Sequence, residues 1–299
     1  MVVYLSELIA DSARKKLEER ATIVDNFDHI EEIDAMIIRK RPVTRQMMEK
    51  AKKLKVISRH GVGCDMLDME AAKELGIKVV NLPGANAQSV AELAVSFIMA
   101  LSRRLKYCDQ GLQKGTIKTF APKESTGFEM YGKTLALVGT GHIAMKVAQM
   151  LKGGFNMRVI ANSPHFTKEK AAQLGIEYYE NVDDMYAEAD YINVSVPLTD
   201  ETRNMINAES FAKMKPSAIL VNTSRGGVVN ERDLYNALVE KNIWAAASDV
   251  FECEPPSPDN PLLSLDNFIA TPHCASSTYE CMERCGDLAV ENVFKALGL

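Results

Sequence analysis

Leu135-Ala136-Leu137-Val138-Gly139-Thr140-Gly141-His142-Ile143-Ala144 reads as an apolar strand that enters a glycine-rich turn and leaves it as a helix. Gly139 permits the tight turn, and Gly141 lets a pyrophosphate approach the backbone. Ala144 stands at the third position, where a small residue packs helix against strand. The helix that begins near His142 and Ile143 turns its unpaired N–H groups and positive dipole end toward those phosphates. Two glycines alone would fit an ordinary strand–turn–helix. The alternation of strands and helices around them favours dinucleotide binding.

That alternation extends in both directions. Downstream, strands are expected at Arg158–Ala161, Tyr191–Val194, Ala218–Asn222, Trp244–Asp249 and Asn267–Thr271, after a first strand at Thr134–Val138. Upstream, a second series has strands at Val2–Leu5, Thr22–Val24, Ala35–Ile38, Val56–Ser58 and Lys78–Val80. Helices are expected there at Ser12–Arg20, Thr44–Lys53 and Asp68–Leu75. Short β-branched runs between amphipathic helices specify an α/β protein with parallel sheets. Leu82-Pro83-Gly84-Ala85-Asn86 interrupts the pattern, and one apolar helix from Ser89 to about Leu105 is expected to cross between domains. A looser segment with Gly111, Gly115, Pro122 and Gly127 follows, and Thr278–Leu299 reads as a closing helix.

The strand after a glycine turn usually ends, roughly twenty residues on, in a carboxylate that grips the adenosine ribose. Here Asn162-Ser163-Pro164-His165 has none. Asn162 and Ser163 can donate hydrogen bonds, and His165 and Lys168 can supply positive charge. A 2′-phosphate would meet no repulsion, so the cofactor is read as NAD(P), with NADP favoured over strict NAD.

Composition narrows the remaining classes. The 299 residues suit two domains, with 46% hydrophobic and 25% charged residues, as in globular proteins. No apolar run reaches the length of a membrane span, and Glu7 and Asp11 come too early for a signal peptide, so a cytoplasmic location is expected. The net charge of -5 argues against nucleic acid as a partner. Arg39, Lys40, Arg41 and Arg45 form a basic knot, with Arg59 beyond it, which is either a solvated loop or an anion site. The six cysteines form no CxxC pair, and no metal site is expected. Cys281 and Cys285 lie one helical turn apart and are read as free thiols.

Three short pieces each follow an expected strand: Val221-Asn222-Thr223-Ser224-Arg225-Gly226-Gly227, Asp249-Val250-Phe251-Glu252-Cys253-Glu254-Pro255, and Thr271-Pro272-His273-Cys274-Ala275. Ligands of open α/β sheets gather at the carboxyl ends of strands. Together with the glycine turn, Arg59-His60-Gly61-Val62-Gly63-Cys64-Asp65, Asn86-Ala87-Gln88-Ser89-Val90-Ala91-Glu92 and Pro197-Leu198-Thr199-Asp200-Glu201-Thr202-Arg203, the chain resembles the D-2-hydroxyacid dehydrogenase family over essentially its whole length.

The resemblance implies two doubly wound parallel-sheet domains. One is a flavodoxin-like substrate domain over 1–84 plus 276–299, and the other a Rossmann cofactor domain over 85–275. It implies hydride transfer at the C2 of a small 2-hydroxyacid or 2-oxoacid, with His273 as acid/base, Glu254 as its partner and Arg225 holding the substrate carboxylate. Such roles suit the groups: an imidazole titrates near neutrality, and a guanidinium presents a planar fork of donors. The N–H groups near Val62 and Gly63 would complete the carboxylate site. Ser195, Pro197, Thr223 and Asp249 join the cofactor contacts. Hinge closure would centre on Pro83–Ala85 and Ala275–Ser277, and relatives are usually homodimers. Ser163, Ser195 and Ala275 depart from the family's frequent Asp, His and Gly at those places.

Arg39, in Asp34-Ala35-Met36-Ile37-Ile38-Arg39, matches the 3-phosphoglycerate dehydrogenase branch, where an arginine meets the substrate phosphate. With Arg41 and Arg59 it suits an anionic tail. Glyoxylate and hydroxypyruvate reductases share the scaffold and remain the alternative, as does a non-catalytic binding protein resembling dinucleotide-sensing corepressors. A formate dehydrogenase would not need the Glu254 partner.

Overall fold

The computed structural model describes residues Met1–Leu299 and divides into two compact units, Met1–Ser89 with Ser276–Leu299, and Val90–Ala275. Sequence alone set the first division at residue 84. None of the helices is long and apolar enough to cross a membrane.

In the first unit, strands β1 (Val2–Leu5), β2 (Thr22–Val24), β3 (Ala35–Ile38), β4 (Val56–Arg59) and β5 (Lys78–Val80) form one parallel sheet in the order β2-β1-β3-β4-β5. Because successive strand residues face opposite sides, Val3 and Leu5 pack with helix α1 (Asp11–Glu18) and the C-terminal helix (Tyr279–Leu297), while Tyr4 packs on the other face with Met36, Ile38 and Ile57. Helices α2 (Arg45–Lys50) and α3 (Met69–Glu74) are shorter than expected at both ends. Thr44 and Asp68 are their N-caps, each accepting a hydrogen bond from a backbone N–H of the first turn. Cys281 and Cys285 are buried on the C-terminal helix and belong to the same apolar cluster as Val3 and Leu17.

The second unit holds a seven-stranded parallel sheet. Its strands are β6 (Thr134–Val138), β7 (Arg158–Asn162), β8 (Glu177–Tyr178), β9 (Tyr191–Val194), β10 (Ile219–Asn222), β11 (Ala245–Ser248) and β12 (Phe268–Ala270). They run in the order β12-β11-β10-β9-β6-β7-β8, so the chain winds outward from β6 one way and returns to start again at β9. The short strand β8 has no counterpart in the expected series. It is only two residues long and shows too little alternation to be seen.

The single helix expected from Ser89 to Leu105 is two. Helix α4 spans Ala87–Ser102 and α5 spans Leu105–Gln113, separated by Arg104 in a left-handed conformation (φ +52°). Phe128 N–H donates to Ser102 O (2.8 Å), and a side chain at Gly127 would collide with that same carbonyl. The returning chain thus occupies the place where the helix would have continued. Glycines at 111 and 115 had made the α5 region read as loop, although Gly111 lies inside the helix, buried against Ile117. The remaining helices are α6 (His142–Phe155), α7 (Lys168–Leu174), α8 (Val182–Glu188), α9 (Ala208–Lys213) and α10 (Glu231–Val239). Helices α4 and α6 cover the face bearing Leu135 and Leu137, and α8, α9 and α10 cover the face bearing Ala136 and Val138.

Candidate active site

The reversal of strand order at β6 and β9 splays the two following loops, which is where such sheets bind ligands. Gly139 has φ +91°, and a Cβ there would lie 2.5 Å from Ser195 O, so only glycine lets the two loops meet. Gly141 is different: its backbone is extended, and a Cβ would find no atom within 4 Å. Helix α6 starts at this residue with no side-chain cap, whereas Thr167, Asn181, Asn207 and Asn230 cap α7, α8, α9 and α10. Its first-turn N–H groups are therefore left for an anion approaching over Gly141. His142 is exposed and Ile143 half-buried on that first turn. Buried Thr223 Oγ1 has no hydrogen-bond partner, and neither has Asn193 Oδ1 near the end of β9. Open N–H groups, bare glycine and an orphaned hydroxyl together fit a dinucleotide.

At the end of β7, Asn162 Nδ2 donates to Tyr179 O (2.9 Å) and Glu180 O (3.1 Å), so this side chain braces the neighbouring loop. Ser163 is half-buried, and Pro164 and His165 are exposed beside it. Lys168 lies over the Tyr178 ring, 5.9 Å from its centroid. Ser195 Oγ accepts from Asn193 Nδ2 (2.9 Å), and exposed Pro197 offers its carbonyl to Thr202 Oγ1 (2.6 Å).

The ends of β10, β11 and β12 bring Arg225, Glu254 and His273 into one neighbourhood. His273 Nδ1 lies 2.6 Å from Glu254 Oε2, and Glu254 Oε1 accepts from Phe251 N–H (3.1 Å). Burial opposes ionisation of Glu254. The hydrogen bonds from His273 and Phe251, with the positive charges of His273 and Arg225, outweigh burial and hold its carboxyl below the usual range. Glu254 therefore stays charged, and its contact with Nδ1 suits a proton carried on that nitrogen. Arg225 Nη1 donates to Ser224 O (2.7 Å).

Two residues that the sequence left in minor roles shape this site. Asp249 is 1% exposed, and its carboxylate accepts from Thr271 Oγ1, Cys274 N–H (2.8 Å) and Ala275 N–H (2.9 Å). Its carbonyl accepts from His273 N–H (2.7 Å). Those bonds clamp the turn that carries His273 at φ +51°, a strained conformation for a non-glycine residue. Gly226 is the second: a Cβ there would fall 1.9 Å from Phe251 O, so the loop after β10 sits directly on the loop after β11. The Gly226-Gly227 pair after Arg225 was the signal for this close approach.

In the first unit, Arg39 Nη2 donates to Ser277 Oγ (2.9 Å). Arg59 is turned to the backbone, with Nε on Gly63 O (2.7 Å) and Nη1 on His60 O (2.8 Å). Exposed Val62 accepts at its carbonyl from Asn81 Nδ2 (2.7 Å), while the N–H groups of Val62 and Gly63 donate to nothing in this unit.

Residues 95–275 match the sequence profile of the D-isomer specific 2-hydroxyacid dehydrogenase NAD binding domain. The chain belongs to the D-2-hydroxyacid dehydrogenase family, and its second unit carries that family's domain for a nicotinamide dinucleotide. It is 44% identical to a D-3-phosphoglycerate dehydrogenase of Methanocaldococcus jannaschii over 272 residues, covering 91% of this chain and 51% of that one, so it spans about half of that relative's length. It is also 44% identical over 309 residues to a hydroxypyruvate reductase of Thermotoga maritima, covering 99% of this chain and 98% of the other. A D-lactate dehydrogenase from Aquifex aeolicus, solved with NAD and lactic acid, superposes with a TM-score of 0.85 at 27% identity, covering 100% of this chain and 95% of that one.

Proposed function

We propose that the chain is an NAD(P)-dependent dehydrogenase that interconverts a small D-2-hydroxyacid and its 2-oxoacid. The observation that carries this reading is the 2.6 Å contact of His273 with Glu254, in the unit that also holds the open glycine turn. The bound nicotinamide would supply or accept the hydride. His273 Nε2 would move the proton on the substrate oxygen, Glu254 would hold the ring's tautomer and balance its charge, and Arg225 would take the substrate carboxylate. Gly139, Gly141, His142 and Ile143 are assigned to the pyrophosphate side. Ser195, Pro197, Thr223 and Asp249 are assigned to the rest of the cofactor, Asp249 chiefly by fixing the His273 turn.

For the substrate, Arg39 and the uncommitted N–H groups of Val62 and Gly63 are the first unit's groups suited to an anion, with Arg59 bracing the turn that presents them. An anionic tail of the 3-phosphoglycerate kind is the reading favoured by Arg39. Engagement of Arg59 with its own turn favours the uncharged tail of hydroxypyruvate or glyoxylate as the second reading.

For the cofactor, lack of a carboxylate at Asn162-Ser163 favours NADP. A panel of 2-oxoacids, phosphorylated and not, assayed with NADH and NADPH tests all three points. Turnover with NADPH at least equal to that with NADH is expected, and a much higher efficiency with NADH rejects the reading of Ser163. Absence of turnover with every 2-oxoacid, while NAD(P)H still binds, rejects the enzyme.

A further inference from the structure

Cys281 and Cys285 stand on successive turns of the C-terminal helix, and their sulfurs lie 3.7 Å apart. Both are buried, and the chemistry proposed around His273 uses neither. Cys281 lies in the first turn of the helix, where its N–H donates to Thr278 Oγ1 (3.2 Å) and the positive helix end favours a thiolate. The hydrogen bond from Cys285, then that from Ser89 and the charges of Arg284 and Arg39, outweigh burial and hold the Cys281 thiol below its usual range. Cys285 is pushed the other way by Cys281 and by burial, so it keeps its proton.

Two sulfurs so placed suit a bridging atom better than a direct bond. A disulfide needs Cβ atoms about 3.5–4.5 Å apart, whereas residues four apart on a helix hold theirs at about 5–6 Å. The intact helix therefore opposes a disulfide. One atom bonded to both sulfurs at about 2.3 Å, the usual zinc–thiolate length, with a tetrahedral angle between them, spans about 3.8 Å. The observed gap is close to that span. No third His, Cys, Asp or Glu joins the pair in a metal-binding group, so the bridging centre has to bring its remaining ligand with it.

The pair also lies where occupancy would be felt. Leu82 and Ala85 pack in the same apolar cluster as both cysteines. Arg284 Nε donates to Ala85 O (2.6 Å), and the hydroxyls of Ser89 and Thr278 are 2.9 Å apart. The start of the helix thus grips residues 82–89, the stretch that leads out of the first unit.

We propose that Cys281 and Cys285 form a dithiol site for a trivalent arsenical. An arylarsenoxide forms one As–S bond to each sulfur, its oxygen leaves with the two thiol protons as water, and the aryl group stays as the third ligand. Arsenic remains trivalent, so no oxidant is consumed. Fraying of the first helical turn admits the reagent. The aryl group then displaces residues 82–89, and turnover falls. That second effect rests on the dehydrogenase reading, whereas uptake does not.

The full chain is treated with phenylarsine oxide and followed by intact mass. One arsenical per chain is expected to resist excess 2-mercaptoethanol and to leave with 2,3-dimercaptopropanol. Cys281→Ala and Cys285→Ala should each hold it about 100-fold more weakly or worse, because the second As–S bond is intramolecular. A variant with alanine at Cys64, Cys108, Cys253 and Cys274 keeps the pair and should keep the resistant adduct. Turnover of the parent should be lost in step with uptake and return with the dithiol. No resistant adduct on the parent, or one that survives in Cys281→Ala or Cys285→Ala, overturns the site. Full uptake with unchanged turnover overturns its hold on residues 82–89. A chain that takes up the reagent but turns over no 2-oxoacid fails the dehydrogenase reading alone and supports the site.

Discussion

Each unit carries an arginine and a histidine at or just past the carboxyl ends of its parallel strands, and the two sets are held in opposite ways. In the first unit, Arg59 closes β4 and spends its guanidinium on the carbonyls of its own turn. His60 beside it is 5% exposed, and its Nε2 has no partner. In the second unit, His273 is half-exposed and paired through Nδ1 with Glu254, in a turn clamped by Asp249. The residue types are the same in both, and all four lie at or within three residues of a strand's carboxyl end. What differs is whether the polar atoms are turned inward to hold a loop or held outward by a second residue. That second residue, a carboxylate, suits the imidazole to the acid/base role proposed for His273.

The sharpest way to break the comparison is to remove each histidine. His273→Asn, which tolerates the left-handed backbone, should lower kcat by about 10²–10⁴-fold. NAD(P)H binding, read by fluorescence titration, should stay near that of the parent. His60→Gln should leave kcat within a few-fold. If instead His273→Asn keeps full turnover, the proton is handled elsewhere and the contrast between the two turns has no chemical meaning.

The same contrast appears in pH dependence. Burial, and then the charge of Arg39, push the His60 pKa down from 6.5 to about 4. The folded chain therefore resists a proton that the unfolded chain accepts near 6.5. Stability associated with His60 is fully present above that value and is lost as pH falls toward about 4, to a total of about 3 kcal/mol. Urea melts of the parent between pH 7 and pH 4 should show this loss superimposed on that of the carboxylates, and His60→Gln should flatten it. Identical pH profiles for parent and variant would mean that His60 is not buried as a neutral ring.

How far each turn was legible in the sequence follows from what each depends on. The glycine turn and the Arg225, Glu254 and His273 pieces were visible because each follows a strand with clear apolar character. In sequence, Arg59 reads as a substrate contact because it joins Arg39 and Arg41 as a cation suited to an anionic tail. That its fork points to Gly63 O and His60 O depends on how the loop folds back, which spacing does not encode. The break between α4 and α5 was hidden for a similar reason: Arg104 has good helix propensity, and only the tertiary contact of Phe128 with Ser102 O stops the helix. Asp249 was named as a cofactor contact, whereas its hold on three donors in the 271–275 turn is a property of two adjacent strands meeting.

A smaller effect tests whether the loops of the second unit are positioned by close contact. With a Cβ only 1.9 Å from Phe251 O, Gly226→Ala must push the loop after β10 away from the loop after β11. Overpacking of this kind costs about 2–3 kcal/mol and should lower the melting temperature by roughly 5 °C. Since Arg225 is the neighbouring residue, KM for the 2-oxoacid should rise more than kcat falls. A variant with unchanged melting and unchanged KM would show that the loops can separate freely, and that Arg225 is placed by something other than this contact.

The least of these effects concerns Arg59, where the roles of the two units could be exchanged. Arg59→Lys keeps the charge and removes the fork, so an ammonium can serve one of the two carbonyls but not both in their present geometry. Loss of a hydrogen bond to a part-buried loop carbonyl predicts about 1 kcal/mol of destabilisation, seen as a small fall in melting temperature. KM should change little if Arg59 acts only through the turn that presents Val62 and Gly63. A lysine variant that melts normally but raises KM for a phosphorylated 2-oxoacid by a hundred-fold or so would reverse the assignment, because an effect of that size requires direct contact with the substrate's charge. The first unit would then hold a second working arginine, and the division drawn between bracing and reacting side chains would fall at His60 rather than between the two units.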